Sequence, residues 1–379
     1  MNNETKPIRP RKRWKRLLKW SVAVILVALL IWFEIAYWTS SNDCGYTAAP
    51  TYPMKAIVYC NYGLGNLKLE DVEKPVPNDD QVLVKVRAAS VNPYDWHFVE
   101  GTPKIMRAMG VGLRKPKDTR LGVDFAGTVE AVGKNVTQFK PGDEVFGGRG
   151  GAFGEYVCPR ATRAVALKPA NVTFEQAASV NIAGITALQA LRDKGKVQPG
   201  QKVLINGASG GVGTFAVQIA KSLGADVTGV CSTRNIDLVK SLGADHVIDY
   251  TKEDFTKSAE RYDVMLDNVG NRTLSECKSV LTPKGKYVLI GGGGASEQGL
   301  LGGLGKALWA MLFSKFVNQQ MGMMMADPSQ KDLTILAEMM QSGKLKPVID
   351  RTYKLDQVPE AIRYLEEGHA RGKVIIAVE

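Results

Sequence analysis

Histidine is scarce in this chain: only His97, His246 and His369 are present. The five cysteines, Cys44, Cys60, Cys158, Cys231 and Cys277, are scattered and form no C-x-x-C pair. No histidine stands at ligand spacing from a cysteine. A cysteine-based zinc site is therefore not expected, and neither is a disulfide framework. Acid is in short supply too, with a formal net charge of +11. Most of that excess is local. Residues 1–20 hold eight lysines and arginines against one acid, Glu4, which leaves +4 for the remainder. So small a residual charge argues against a nucleic-acid surface and assigns the basic balance to a membrane flank. No internal repeat is evident. With 45% hydrophobic residues in 379, the chain is long enough for two folded domains.

Residues 1–19 read as a basic head. Residues 20–38 follow, uncharged as far as Phe33, with one acid at Glu34. As a helix they cover roughly 28 Å, about one hydrocarbon core. Trp14, Trp20, Trp32, Tyr37 and Trp38 flank them as interfacial aromatics do. The expectation is one N-terminal transmembrane helix, hence a membrane location, with the side of the body left open. A cleaved signal is the alternative, but Ala36-Tyr37-Trp38 is too bulky for a small-x-small cleavage site. Residues 39–53 read as a polar linker, and Met54 starts M-K-A-I-V-Y, a natural beginning for the folded body.

The body is organised around residues 203–224. Residues 203–206 are a short apolar run, read as a buried parallel strand. A glycine-rich turn follows at 207–213. Ala216, Ile219, Ala220 and Leu223 then recur at helical spacing, and Gly224 stops the helix. Strand, glycine turn and helix open a dinucleotide-binding βαβ unit. The turn, Ala208, Ser209, Gly210, Gly211, Val212 and Gly213, lets backbone approach a pyrophosphate, and the helix N-terminus offers N–H groups and a positive dipole end. On the G-x-G-x-x-G pattern the first position is Ala208, a departure that its surroundings offset. A second strand at 226–231 ends about 20 residues past the last glycine, where an acid would read a ribose 2′-OH. Ser232, Thr233 and Arg234 stand there instead. A hydroxyl and a guanidinium suit a 2′-phosphate, which points to NADPH over NADH.

Residues 54–170 read as all-β, punctuated by glycine and proline, with strands at 54–59 and 81–89. Residues 174–191 read as helical. Strands are expected at 246–250, 262–268 and 286–291, alternating with helices in the α/β manner, and again at 344–354 and 373–378.

Several stretches together carry a family resemblance: A-A-S-V-N-P-Y-D-W at 88–96, G-V-D-F-A-G-T-V-E-A-V-G at 122–133, P-G-D-E-V-F-G at 141–147, N-G-A-S-G-G-V-G at 206–213, L-G-A-D-H-V-I-D-Y at 242–250 and R-G-K-V-I-I at 371–376. From residue 54 onward the chain resembles a medium-chain dehydrogenase/reductase of the zinc-independent quinone oxidoreductase type. The resemblance implies a GroES-like β-rich catalytic domain (54–178), an inserted Rossmann doubly wound parallel sheet (179–324) and a C-terminal return to the catalytic domain (325–379). Zinc-using members carry a cysteine at Val91 or Asn92 and G-H-E at Gly122-Val123-Asp124, and they have a four-cysteine loop absent here. No metal is therefore expected, and without a Lewis acid alcohol oxidation is the weaker reading.

The same resemblance sets Asn92 and Asp95 beside nicotinamide and substrate, although N-P-Y-D is also a good β-turn. It sets Thr186 at the nicotinamide end, unless that hydroxyl bonds its own helix. Tyr250 resembles the aromatic beside the 2′-phosphate, and Lys373 is a cofactor or substrate-side contact or a strand-edge lysine. Asn268, Val269 and Gly291 end strands at the carboxyl edge, where such sheets bind ligands. His97, Tyr94 or solvent would give the α-carbon proton. The implied reaction is hydride transfer to the activated C=C of a quinone or α,β-unsaturated carbonyl, with charge developing on the carbonyl oxygen. A metal-free alcohol dehydrogenase and an NADPH-holding membrane-associated protein with little turnover are the alternatives. Residues 306–325, rich in methionine, read as core or subunit-interface packing or as a broad apolar pocket wall. Together with an anchor, that stretch would favour a lipophilic substrate. A homodimer is implied by resemblance alone.

Overall fold

The computed structural model describes residues 49–290 and 317–378, with isolated positions between 20 and 35 and between 305 and 314. In chain order the body runs β1 (Pro53–Val58), β2 (Lys68–Glu73), β3 (Val82–Val91), α1 (Pro93–Glu100), β4 (Asp124–Val132), β5 (Glu144–Gly148), β6 (Tyr156–Val157), β7 (Val165–Leu167), α2 (Phe174–Ala178) and α3 (Asn181–Gln189). It continues through β8 (Lys202–Asn206), α4 (Gly211–Ser222), β9 (Asp226–Cys231), α5 (Ile236–Ser241), β10 (His246–Asp249), β11 (Tyr262–Asp267), α6 (Leu274–Ser279), β12 (Leu281–Leu289) and β13 (Gln320–Met323). The chain then closes with α7 (Gln330–Gln341), β14 (Ile349–Lys354), α8 (Val358–Glu366) and β15 (Lys373–Ala377).

Two larger sheets result. One has the order β10-β9-β8-β11-β12-β13, six strands, all parallel. Its direction of winding reverses between β8 and β11, which makes the carboxyl ends of those two strands a topological switch point. The other has the order β14-β15-β3-β4-β5-β7, with β6 on β3. Only β14 and β15 pair parallel within it. The chain thus builds most of an antiparallel sheet, winds the parallel one, and returns to the first. This is a GroES-like part with a Rossmann-type part inserted.

β15 lies where the two parts meet, and its alternation decides what faces what. Val374 and Ile376 enter the core of the antiparallel part, whereas Ile375 enters the core that includes α3, α4 and β8. Successive side chains on a strand point to opposite faces, so Lys373 shares the face of Ile375 and is turned toward the parallel sheet.

Two local readings change. α1 occupies a segment read as β with a turn. Its Asn92 N-cap, Pro93 at the first helical position and Asp95 at N3 form a capping box. The expected single helix over 174–191 is broken at Ser179 and Val180 into α2, capped by Thr173 and Gln176, and α3.

The transmembrane helix and membrane location are withdrawn. Among the described residues no helix is long and apolar enough to cross a membrane. The helical positions that are described fall between 20 and 35. The remainder of the expected span, and residues 1–19, lie outside the described residues. A second correction concerns cysteine: Cys60 is disulfide-bonded, while Cys158, Cys231 and Cys277 are buried and take no part in a disulfide. Sequence spacing reveals only local pairs, whereas a disulfide needs proximity in space.

Candidate active site

The turn between β8 and α4 is built by what cannot fit beside it. A Cβ on Gly213 would lie 2.1 Å from the Gly207 carbonyl oxygen and 2.8 Å from backbone atoms of Ala208. Gly207 itself has φ +78°. Only glycine permits both the close approach and the left-handed backbone. At the N-cap, Gly210 makes no side-chain cap and the first turn holds no acid. Among the described residues nothing caps the leading N–H groups of this twelve-residue helix, which suits them to an anion.

Around this turn the structure gathers several polar groups. Asn235 Nδ2 donates to Ser209 Oγ at 3.0 Å and to Ser232 Oγ at 3.2 Å, tying the turn to the end of β9. Tyr250, half exposed, follows β10, and its N–H reaches the Cys231 carbonyl beside Ser232. Arg234 donates from Nη2 to the His369 carbonyl at 2.8 Å, reaching across to the segment before β15. At the switch point Asn206 Nδ2 donates to Asp267 Oδ1 at 2.9 Å, Asn268 Nδ2 donates to the Asn206 carbonyl at 3.0 Å, and Val269 lies against Gly207. Asn235 Oδ1 and Asn268 Oδ1 are buried acceptors with no hydrogen-bond donor among the described residues. A phosphate-bearing ligand with ribose hydroxyls fits this set: uncapped N–H donors in the turn, unfilled acceptors beside it, and a hydroxyl and a guanidinium past β9. Gly291 lies outside the described residues.

Facing the turn is a polar cluster in an otherwise apolar junction. Lys373 is 3% exposed. Its Cδ lies 3.3 Å from where a Gly211 Cβ would stand, so its stem packs on the glycine turn. Its Nζ donates to Asn92 Oδ1 at 2.6 Å and lies 3.6 Å from Asp124 Oδ2. Asp124 is fully buried and accepts from four further donors. Oδ2 takes Ser90 Oγ at 2.9 Å and Asn92 Nδ2 at 3.0 Å, and Oδ1 takes Asn181 Nδ2 at 2.9 Å and the Ile182 amide at 3.2 Å. Burial lowers the Lys373 pKa, and Asp124 and then Asp95 oppose that.

The structure thus brings Asn92, Asp95 and Lys373 together and gives each an inward role. The Asn92 amide is committed to Asp124, Ser90 and Lys373, which makes it an orienting group with no donor left over. Asp95 Oδ2 accepts from the Asn92 backbone N–H at 2.8 Å as the capping-box partner. Burial pushes its pKa up to about 7, against the pull of that amide. Thr186 is buried on α3, the helix whose first turn meets Asp124. His97 stands apart from the cluster. It is stacked on Trp96, and its Nδ1 donates to the Thr102 carbonyl at 2.9 Å, closing the turn after α1. Burial lowers its pKa, so it is neutral at neutral pH, with a lone pair and no proton at Nε2. Tyr94 stacks on Phe98, and burial pushes its hydroxyl up to about 12.

Sequence reading missed Ser90, Asp124, Asn181 and Asn235. A signal existed for Asp124, a lone carboxylate opening an apolar strand. Its partners come from three separate stretches of chain, and no local pattern joins them.

A zinc ion does not fit the cluster. Asp124, the acid at the G-H-E position, is surrounded by four N–H and O–H donors, with a lysine ammonium as its counter-charge. Val91, Asn92 and Val123 offer no anionic or imidazole ligand. Among the described residues no three His, Cys, Asp or Glu side chains converge as a metal group.

Comparison with known proteins agrees with this arrangement. Residues 78–170 match the alcohol dehydrogenase GroES-like domain, and residues 242–376 match the zinc-binding dehydrogenase family. The chain is 36% identical over 337 residues to a trans-enoyl reductase of Aspergillus terreus, covering 83% of this chain and 92% of that one. It is 35% identical over 372 residues to a mitochondrial NAD(P)H oxidoreductase of Mus musculus, covering 88% and 91%. The solved quinone oxidoreductase from Coxiella burnetii superposes with a TM-score of 0.76 at 31% identity, covering 86% of this chain and all of that one. With its glycine turn, its switch point and its inserted parallel sheet, the chain belongs to the medium-chain dehydrogenase/reductase superfamily and is an NAD(P)H-dependent oxidoreductase.

Proposed function

We propose that the protein is an NADPH-dependent, zinc-independent reductase of activated C=C bonds, acting on a quinone or an α,β-unsaturated carbonyl. The observation that carries this reading is the juxtaposition of an uncapped glycine turn with the buried Lys373–Asn92–Asp124 cluster. Relatives support the reaction class. One is named a trans-enoyl reductase, and another is a 2-methylene-furan-3-one reductase of Solanum lycopersicum.

In this reading Ala208 to Gly213 hold the pyrophosphate, and Ser232, Arg234 and Tyr250 hold the adenosine end. Asn268, Val269 and Thr186 line the approach to the nicotinamide. The division into a catalytic part (54–178 and 325–379) and a cofactor part (179–324) goes with it. The bound nucleotide supplies a hydride to the β-carbon. The protein's part is to orient the two reactants, exclude water and set fixed charge near the reacting centre. Lys373 supplies that charge. Asn92 aims it, and Asp95 locks the backbone from which Asn92 projects. The α-carbon proton comes from solvent or from the Tyr94 hydroxyl, which is protonated at working pH. A lipid-soluble substrate is not favoured once the membrane helix is lost.

The test is NADPH oxidation with one short enone and one quinone. Turnover on either, yielding a saturated ketone or a hydroquinone, supports the reading. NADP-dependent oxidation of a secondary alcohol with neither of these activities favours an alcohol dehydrogenase, and tight binding without turnover favours a binding protein. Cofactor choice is tested separately. Arg234→Ala should weaken NADPH about tenfold or more and leave NADH nearly unchanged, because the guanidinium pairs with the 2′-phosphate that NADH lacks. Equal losses for both nucleotides would refute the 2′-phosphate role.

A further inference from the structure

We propose that Asp124 is the positioning residue of the site, the group that keeps Lys373 charged and pressed against the glycine turn. This rests on the function argued above, and it assigns a task to a fully buried carboxylate held by the protein's own donors.

The geometry gives Asp124 two faces. Through Oδ1 it grips the start of α3, by Asn181 Nδ2 and the Ile182 amide. Through Oδ2 it grips β3, by Ser90 Oγ and Asn92 Nδ2. By taking Nδ2 of Asn92 it fixes which end of that amide is oxygen. Asn92 Oδ1 is consequently turned to Lys373 Nζ, 2.6 Å away. Lys373 sits on β15, with its stem on Gly211. One carboxylate therefore joins the helix leading into the cofactor part, the strand carrying Asn92 and the lysine under the turn. A buried ammonium is stable only with a counter-charge. The titratable groups facing Lys373 are Asp124 from β4 and Asp95 from α1. Asp95 is pushed up to about 7 by burial and is the weaker counter-ion at neutral pH.

An asparagine at 124 keeps the volume and loses the charge. It also sets an NH2 group against one of the two donor pairs. Lys373 then loses its main support, and its pKa falls further. The sign is fixed: a lysine with a lowered pKa is charged at low pH and neutral as pH rises. Asp124→Asn should therefore bind NADPH near wild-type strength at pH 6 and about tenfold more weakly at pH 9, while wild-type affinity stays flat to within about threefold over the same range. Adding Lys373→Arg, whose side chain stays charged, should restore a flat profile. The measurement is the NADPH dissociation constant of the full chain at both pH values, by fluorescence titration. Thermal melts should confirm the fold of each variant. If Asp124→Asn does not fold, Asp124→Thr keeps a strand-compatible acceptor and carries the same expectation. A folded, uncharged variant with affinity as flat as wild type overturns the proposal. Wild-type protein that takes up no NADPH refutes the functional reading instead, so the two failures are distinguishable.

Discussion

Lys373→Met should lower folding stability by about 3 kcal/mol and weaken NADPH binding by at least about tenfold. Methionine nearly fills the space of a lysine that is 3% exposed, so little packing is lost. What changes is charge. Asp124, fully buried, loses its cationic partner, and Asn92 Oδ1 loses its 2.6 Å donor. Removing one member of a buried ion pair leaves the other uncompensated, and that remainder is the main cost. The double variant Lys373→Met with Asp124→Asn should regain much of the stability, since no lone charge remains. It should not regain affinity, because the positive charge beneath the glycine turn is still missing. Denaturant unfolding and nucleotide titration on the three variants separate the two effects. A Lys373→Met protein within about 0.5 kcal/mol of wild type, with unchanged affinity, would mean that the lysine is an incidental strand-edge residue.

The glycine turn makes a comparably large prediction, with its own control. Gly213→Ala should weaken NADPH binding about a hundredfold and also destabilise the protein. The new methyl would stand 2.1 Å from the Gly207 carbonyl oxygen, among backbone atoms that cannot step aside. Gly210→Ala is different. Its φ of −82° suits any residue, and the nearest neighbour of an added Cβ is the Gly207 carbonyl oxygen at 3.5 Å, an ordinary van der Waals distance. The free protein should tolerate it, with a melting temperature near wild type. Its affinity for NADPH should still fall about tenfold, because the methyl stands where backbone must approach a phosphate. If Gly210→Ala bound as wild type does, the turn would be a packing device and the phosphates would lie elsewhere.

The parts of the molecule legible in the sequence are those coded locally. The run from strand through glycine turn to helix announced β8 and α4, because a close backbone approach demands glycine at fixed spacing. β9 and β11 likewise fell within a residue or so of their expected bounds, since buried parallel strands are short apolar runs. α1 was missed although its code was present. Asn92, Pro93 and Asp95 make a capping box, and the same N-P-Y-D also serves as a turn, so only the apolar residues beyond, Trp96 and Val99 among them, distinguish the two. The junction cluster was legible only in fragments. Lys373 and Asn92 are 281 positions apart and meet because β15 pairs with β3. The direction in which Lys373 points follows from the alternation of β15, which is known only once the strand has neighbours on both faces. Asp124 was noted only as part of a departure from the zinc-using pattern, and its five polar partners emerge only from the folded arrangement. The N-terminal stretch shows the opposite failure. Composition alone suggested a membrane helix, and no described helix has the length to be one.

The central claim is hydride delivery to a carbon–carbon double bond without a metal. The most direct measurement uses NADPH carrying deuterium at the transferable C4 position, a short α,β-unsaturated ketone, and full-length protein dialysed against a strong chelator. The account predicts undiminished NADPH oxidation matched one-to-one by saturated ketone, with the deuterium at the β-carbon. An allylic alcohol labelled at the carbinol carbon, or activity lost on chelation and restored by zinc, would contradict it.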